Sequence, residues 1–312
     1  MLSLDAEIGR LRDERRLDPD RAATLIAIER GNLFSLHLEL RLLLYAAVVA
    51  IVTGVGVVLS KNLDRIGPVT LIAGIGLVAA ACYLYAWIMP RRQARELSLL
   101  ESYVLLLGAL LVSTDVGYAE SQFHLFGSDW SRYLLLLAIF HGATAYLYRS
   151  KLLLTVSITS LAAWFGIERN IDTLWDSTPE MGLRALACAA VVFVWRVLDR
   201  RFSRAGFTNV FDHAVANLAL LGALFLVFDD STRWIGLLLL TAGAGFTIFA
   251  GFRNREEIFL VYGVVYLLIG AGEVVTDLLH EEVLEMLWFL VTTATGGVWL
   301  FMMHLRLREG GS

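Results

Sequence analysis

The sequence predicts an all-α membrane protein, a polytopic bundle of ten transmembrane helices arranged as five antiparallel hairpins. Hydrophobic residues make up 57% of the 312-residue chain, charged residues make up 18%, and the mean hydropathy is +0.66. Ordinary soluble domains carry about one-quarter charged residues. Apolar runs recur along the chain, and each is long enough to cross the roughly 30 Å hydrocarbon core of a bilayer. The lipid bilayer is therefore the expected environment.

Residues 1–34 are dense in charge of both signs and predict a short amphipathic helical hairpin on the cytoplasmic side. Asp18 is placed to cap its second helix, Pro19 suits the first helical position, and Gly31 marks the end. The apolar core of such a hairpin is small, so we expect it to pack on the bundle or on a cytoplasmic protein partner. No apolar run follows the first basic residues, so no signal peptide is predicted.

The ten-helix domain is predicted over residues 35–308, and residues 309–312 are predicted to be a flexible tail. The fourth and fifth apolar runs are separated only by residues 149–151, and a tight turn is predicted there because one continuous helix would exceed the bilayer. The predicted spans are 36–60, 68–89, 99–118, 133–148, 152–167, 181–198, 210–228, 234–251, 258–278 and 283–305.

The distribution of Lys and Arg predicts the orientation of the bundle. In a ten-span arrangement, one side of the membrane holds 20 of the 26 basic residues and the other side holds six. Cytoplasmic loops carry an excess of Lys and Arg. Both termini are therefore predicted to be cytoplasmic. The chain has no basic tail that would indicate nucleic acid as a partner.

A phrase repeats along the chain: Leu106–Asp115 reads LLGALLVSTD, and Leu220–Asp229 reads LLGALFLVFD. In the predicted topology every odd-numbered span runs outward and ends near an acid. A hairpin with a carboxylate at its outer bend is the predicted repeat unit, in a parallel arrangement known from transporters. The alternative is that these acids only cap and solvate the loops. The five acids are Asp64, Asp115, Asp172, Asp229 and Asp277, separated by 51, 57, 57 and 48 residues.

The first 90 residues resemble the bacterial membrane-protein family known as domain of unknown function 2157. The resemblance implies a multi-pass protein of the bacterial cytoplasmic (inner) membrane, and it brings no established activity or site residues. Family members often have a tryptophan where this chain has Leu63. The resembling segments are the hairpin Leu11–Arg30, the glycine-rich Thr53–Gly56, the turn Asn62–Asp64, and Gly67-Pro68.

Ionisable residues within spans are the first candidates for a functional site, because burying them in a bilayer is costly. Glu273 and Asp277 are four residues apart and share one helical face. They are predicted to bind a proton, an ion or a solute entering from outside, unless Glu273 is simply satisfied by Arg184 or by interfacial water. His141 lies near the middle of the fourth span and is predicted to be either a proton-relay group or a buried hydrogen-bond donor.

Other patterns have simpler interpretations. Asp212 is predicted to cap the seventh helix. Cys82 and Cys188 lie in apolar runs and predict neither a disulfide nor a metal site. No metal and no cofactor is predicted. Closely spaced glycines predict close helix packing. The pairs are Gly54/Gly56, Gly74/Gly76, Gly243/Gly245 and Gly270/Gly272.

Three functions are compatible with this pattern. The first is a transporter-like or channel-like protein for a small solute, ion or proton, with Glu273, Asp277 and His141 as working groups. The second is a non-catalytic scaffold or sensor that uses residues 1–34 as its cytoplasmic contact. The third is an intramembrane enzyme that acts on lipid or glycan with the outer acids Asp64, Asp115, Asp172 and Asp229, although no nucleophile-elbow or zinc-protease motif is present.

Overall fold

A computed structural model describes residues 36–62, 67–93, 98–125, 132–166, 179–202, 206–279, 288, 290–299 and 302–303. The predicted N-terminal hairpin, the predicted tail and the acids Asp64 and Asp172 lie outside these ranges. All regular secondary structure in the described ranges is helical. Residues 290–299 are helical as well. The helices are α1 Leu36–Asn62, α2 Pro68–Gln93, α3 Leu99–Phe123, α4 Arg132–Tyr148, α5 Lys151–Trp164, α6 Pro179–Phe202, α7 Thr208–Val227, α8 Arg233–Asn254 and α9 Glu257–Leu279.

Six of these helices, α2, α3 and α6 to α9, are long and apolar enough to cross a membrane. Apolar side chains cover much of their outer surface, including Leu238 at 67%, Phe246 at 70% and Trp234 at 73% exposure. Water would penalise such a surface, whereas lipid tails match it. The all-helical membrane fold is therefore confirmed in its general form. The nine helices begin within two residues of the first nine predicted spans.

The pairing of the helices differs from the predicted hairpins. The most extensive contacts join α2 to α3, α4 to α5, α6 to α7 and α8 to α9. The predicted units were instead α1 with α2, α3 with α4, and so on; of these, only α7 with α8 forms a comparably extensive contact, and α1 packs on α3. The pairing is therefore shifted by one helix along the chain.

Short connections explain part of this shift. The connection between α4 and α5 is Arg149-Ser150, where Arg149 is left-handed with a φ of 51° and Ser150 caps α5 through a hydrogen bond from the Leu153 N–H. The connection between α8 and α9 is equally short, and Arg255 is left-handed there with a φ of 57°. Such short connections hold consecutive helices side by side. The predicted tight turn after the fourth span is confirmed.

The glycine of the repeated phrase lies at a close helix contact in both copies. A Cβ on Gly108 would meet the Cys82 side chain of α2 at 2.9 Å. A Cβ on Gly222 would meet the carbonyl oxygen of Gly182 in α6 at the same distance, 2.9 Å. Each repeat therefore supplies the small residue that lets an odd-numbered helix pack tightly on the preceding even-numbered one.

The paired glycines have mixed roles. Close packing is confirmed at Gly270, where a Cβ would clash with the Leu240 side chain of α8, and at Gly243, where a Cβ would meet Leu220 at 3.3 Å. It is wrong for Gly54, Gly56, Gly74 and Gly245 as far as the described residues go, because a Cβ at each of them would meet no described atom within 4 Å. None of the described helices requires glycine at these positions.

Candidate functional site

His141 is a fully buried histidine in the described bundle. Its exposure is 0%, and it lies in the middle of α4, about 14 Å from the beginning and about 10 Å from the end of that helix at 1.5 Å per residue. Its Nε2 atom lies 2.9 Å from the hydroxyl oxygen of Ser113 in α3. Its other ring nitrogen, Nδ1, is buried without a hydrogen-bond partner among the described residues.

The hydrogen bonds of Ser113 indicate which nitrogen of His141 is protonated. The hydroxyl group has one hydrogen, and it donates that hydrogen to the Ala109 carbonyl oxygen at 3.0 Å. The Ser113 oxygen then accepts a hydrogen bond from Nε2–H of a neutral His141. In this tautomer Nδ1 carries a free lone pair. The bundle therefore contains an imidazole nitrogen in its apolar interior that has no hydrogen-bond partner among the described residues.

The surroundings of His141 are tightly packed. Ser157 of α5 is fully buried and donates a hydrogen bond to the Ala138 carbonyl at 2.6 Å, one turn before His141. A Cβ on Gly142 would lie 3.1 Å from the Ser157 hydroxyl and 3.2 Å from the indole ring of Trp195 in α6. Four helices, α3 to α6, therefore meet closely around this histidine. Such packing leaves little room for a hydrated ion.

The repeat predicted that Asp115 lies at the outer end of its helix, and the structure differs. The third helix continues eight residues further, to Phe123, so Asp115 is inside α3. Its Oδ2 would lie 3.3 Å from a Cβ on Gly76 of α2, and its Oδ1 is buried without a hydrogen-bond partner in the described part of the chain. Residues two apart project from nearly opposite sides of a helix. Asp115 therefore faces α2, whereas Ser113 faces His141.

Asp229 has a local structural role. It lies in the turn between α7 and α8, where its carboxylate accepts hydrogen bonds from the Ser231 N–H at 3.0 Å and the Thr232 N–H at 3.2 Å. These bonds, and above all the one from the Ser231 hydroxyl, lower the pKa of Asp229 below its ordinary value. These hydrogen bonds within the turn are a sufficient reason for an aspartate at position 229. Asp115 lies in α3 and Asp229 follows α7. These two helices share no extensive contact, so the structure does not group the two acids into one site.

Glu273 lies in α9 and is half-buried. The helix α9 packs on α7 and α8, whereas α4 packs mainly on α5 and also on α3, so Glu273 and His141 belong to different parts of the bundle. Arg184 forms an ion pair with Glu180 at 3.3 Å. Asp277 also lies in α9, and its side chain lies outside the described part of the structure.

The sequence interpretation missed a polar cluster at one end of the bundle, where α4 and α6 end and α7 begins. Asp212 does not cap α7, because that helix begins at Thr208; its carboxylate forms an ion pair with Arg196 of α6 instead. Asp199 lies about one turn after Arg196 in α6, and only 5% of its surface is exposed. The N–H of Trp195 donates a hydrogen bond to the Tyr146 hydroxyl at 2.9 Å. A sign of this cluster in the sequence is that an acid, Asp199, immediately precedes a pair of arginines.

Metal and ligand sites are sparse in the described residues. No group of three or more His, Cys, Asp or Glu side chains is placed to hold a metal ion within that part of the chain. Cys82 and Cys188 are free and buried. An open groove of about 850 Å³ lies along one face of α1 and is lined by Tyr45, Ala46, Val49, Ala50, Thr53, Gly54 and Val57. Nothing in this groove's described lining carries charge.

Comparison with known proteins finds a family that part of the chain resembles and brings no activity. No curated protein and no solved structure matches the chain. Helices α1 to α4 and the beginning of α5, including Ser113 and His141, lie within a stretch that matches a known family. Residues 9–154 match the family described as "Predicted membrane protein (DUF2157)", which confirms the predicted resemblance and extends it beyond the first 90 residues.

Proposed function

We propose that this chain is a proton-conducting membrane protein in which His141 accepts and releases the transported proton. The observation that carries the proposal is the free Nδ1 lone pair of His141 in the centre of the bundle. A buried group without a partner costs about 1–3 kcal/mol, so a purely structural histidine is expected to have both nitrogens bonded. A proton-transfer group needs one nitrogen free.

The packing around His141 favours a proton over a larger solute. The ring is fully buried, and the space beside Gly142 is filled by Ser157 and Trp195. A solute or hydrated ion needs a cavity, whereas a proton moves between groups at hydrogen-bond distance. Among the transporter and channel functions compatible with the sequence, proton movement therefore agrees best with this interior.

The topology completes the proposal. We take the chain as ten spans in a bacterial cytoplasmic membrane with both termini cytoplasmic, supported by the distribution of its 26 basic residues. In that orientation α4 runs inward, and His141 is separated from both surfaces by comparable distances. Glu273 and Asp277 stay a predicted second site on α9.

The proposal is tested with purified protein in liposomes that contain a pH-sensitive dye. A potassium diffusion potential drives protons inward, and the initial rate of acidification is measured. His141→Gln keeps an amide donor for Ser113 but removes the basic nitrogen. We expect it to fold and to lose at least 10-fold in rate. His124→Gln, at the exposed end of α3, is the matched control and should keep the wild-type rate.

Two results would overturn the proposal. The first is a wild-type rate no faster than that of protein-free liposomes. The second is a His141→Gln protein that conducts protons as fast as the wild type. Ser113→Ala gives an independent check, because it keeps the imidazole but removes its partner; we expect a reduced rate, since the ring loses its fixed orientation.

A further inference from the structure

The last turn of α4 carries two tyrosines that the proposed site does not include. Tyr146 and Tyr148 are both half-buried. They are two residues apart, so they project from nearly opposite sides of the helix. Each forms a hydrogen bond to a different helix, and neither bond belongs to the contact between α4 and α5. The two tyrosines therefore connect α4 with helices on both of its sides.

Tyr148 connects α4 with α2. Its hydroxyl group donates a hydrogen bond to the backbone carbonyl oxygen of Tyr83 at 3.1 Å. A carbonyl oxygen has two lone pairs, so it can accept this bond in addition to the one within its own helix. The Tyr148 ring also packs against two aromatic rings of α2, with centroids 5.8 Å from Tyr83 and 5.7 Å from Trp87. Tyr148 is therefore bound to the backbone of α2 and not only to a side chain.

Tyr146 connects α4 with α6. Its hydroxyl oxygen accepts a hydrogen bond from the indole N–H of Trp195 at 2.9 Å, and that N–H can only donate. The same indole ring lies 3.2 Å from the position of a Cβ on Gly142, one turn earlier in α4. It also makes an edge contact with Phe211 of α7, with ring centroids 5.4 Å apart. Tyr146 is therefore bound to a ring that three helices hold in place.

Helix geometry relates these two hydrogen bonds to His141. Tyr148 follows His141 by nearly two full turns at about 3.6 residues per turn, so both side chains lie on one face, about 10 Å apart along the axis. On that face His141 is bonded to Ser113 of α3, and Tyr148 is bonded to α2. Tyr146 projects about 140° away from His141, towards α6. The helix that carries His141 is therefore held from opposite sides.

The position of the imidazole depends on such bonds, because α4 has few other close neighbours. Among the described helices, its extensive contact is with α5, its contact with α3 is sparser, and it shares no extensive contact with α2 or α6. Long aromatic side chains bridge these gaps instead. A rotation of α4 by about 20° would move a side chain about 6 Å from the helix axis by roughly 2 Å. That movement is enough to break the 2.9 Å contact between His141 and Ser113.

We propose that Tyr146 and Tyr148 are positioning residues for His141. Their two hydrogen bonds fix the rotation of α4 about its axis, so that Nε2 of His141 stays against Ser113. Both tyrosines act through the helix on the imidazole. That this position serves proton movement rests on the proposed function, whereas the positioning itself rests only on the contacts of α4.

Nitrogen NMR of His141 in the lipid-reconstituted protein tests the proposal without a flux assay. Tyr148→Phe removes one hydroxyl group and keeps the aromatic ring. We expect the Nε2 signal of His141 to shift, and its N–H to exchange with deuterated water about 5-fold faster than in the wild type, as the loss of one hydrogen bond predicts. Tyr146→Phe should change the same signal. Tyr85→Phe is the matched control, because Tyr85 is an exposed tyrosine of α2, and it should leave the signal unchanged.

The unfolding midpoint of each variant separates positioning from general stability. An unchanged His141 signal in Tyr146→Phe and Tyr148→Phe contradicts the proposal even if both proteins are less stable, because the tyrosines would then only stabilise the bundle. If one of the two variants does not fold, the signal of the other decides. A flux measurement separates the two proposals. If the His141 signal depends on the tyrosines but the wild type conducts no protons, only the transport proposal fails; if the wild type conducts protons and the signal does not depend on them, only the positioning proposal fails.

Discussion

Replacing Gly222 with alanine tests the close contact between α6 and α7. A Cβ at this position would lie 2.9 Å from the carbonyl oxygen of Gly182 and 3.0 Å from the backbone nitrogen of Leu186. Both are backbone atoms of the facing helix, so they cannot rotate away as a flexible side chain can. The two helices must separate, and overpacking of this kind costs about 1–3 kcal/mol.

Gly245→Ala is the matched control. This glycine is also inside a helix, α8, and a Cβ there would meet nothing within 4 Å. Both substitutions gain the same helix propensity, about 1 kcal/mol over glycine. The difference between the two variants therefore isolates the packing cost. We expect Gly222→Ala to be about 1–3 kcal/mol less stable than Gly245→Ala.

The assay is unfolding in mixed micelles with increasing dodecyl sulfate, followed by tryptophan fluorescence. The midpoint and slope of the transition give the free energy of unfolding for each variant. Equal stabilities of the two variants, or a more stable Gly222→Ala protein, would refute the assignment of Gly222 as a contact between backbones.

Three further predictions concern polar groups at helix ends. Arg196→Gln should destabilise the protein by about 2 kcal/mol because Asp212 loses its partner, and the double variant with Asp212→Asn should recover part of the loss in the same unfolding assay. Asp229 has a lowered pKa, so its contribution to stability is present above the ordinary Asp value and is lost as the pH falls through the folded value; Asp229→Asn should show a smaller loss of stability on acidification from about pH 5 to pH 3. Ser98→Ala removes one half of the reciprocal capping box with Glu101 and should cost about 1 kcal/mol, seen as faster amide exchange in the first turn of α3.

The helix positions follow from hydropathy, but their pairing does not. A membrane helix is apolar on all sides, so its sequence shows no polar face that would point to the neighbouring helix. Pairing depends instead on the short connections at Arg149 and Arg255 and on close contacts such as that of Gly222. The glycine pattern alone was ambiguous, because Gly54 and Gly245 belong to similarly spaced glycine pairs, yet a Cβ on either would meet no described atom within 4 Å.

The candidate site was predictable only in part. His141 stood out as a lone ionisable residue in a span, but its partner Ser113 carries no charge and gives no signal in the sequence. Asp199 was missed because the sixth span was predicted to end one residue earlier, which assigned this acid to a loop. Asp212 was interpreted as a cap because caps are a property of local sequence, whereas its ion pair with Arg196 joins two helices.

The protonation state of His141 is the most direct test of the central proposal. Nitrogen NMR of protein with labelled histidine, folded in lipid bilayers, reports each ring nitrogen of this residue, and His141→Gln identifies its signals. We expect one protonated and one free nitrogen at neutral pH, and protonation of the free nitrogen as the pH is lowered while the bundle stays folded. Signals that do not change over that range would contradict the proposal, because His141 would then be isolated from any proton pathway.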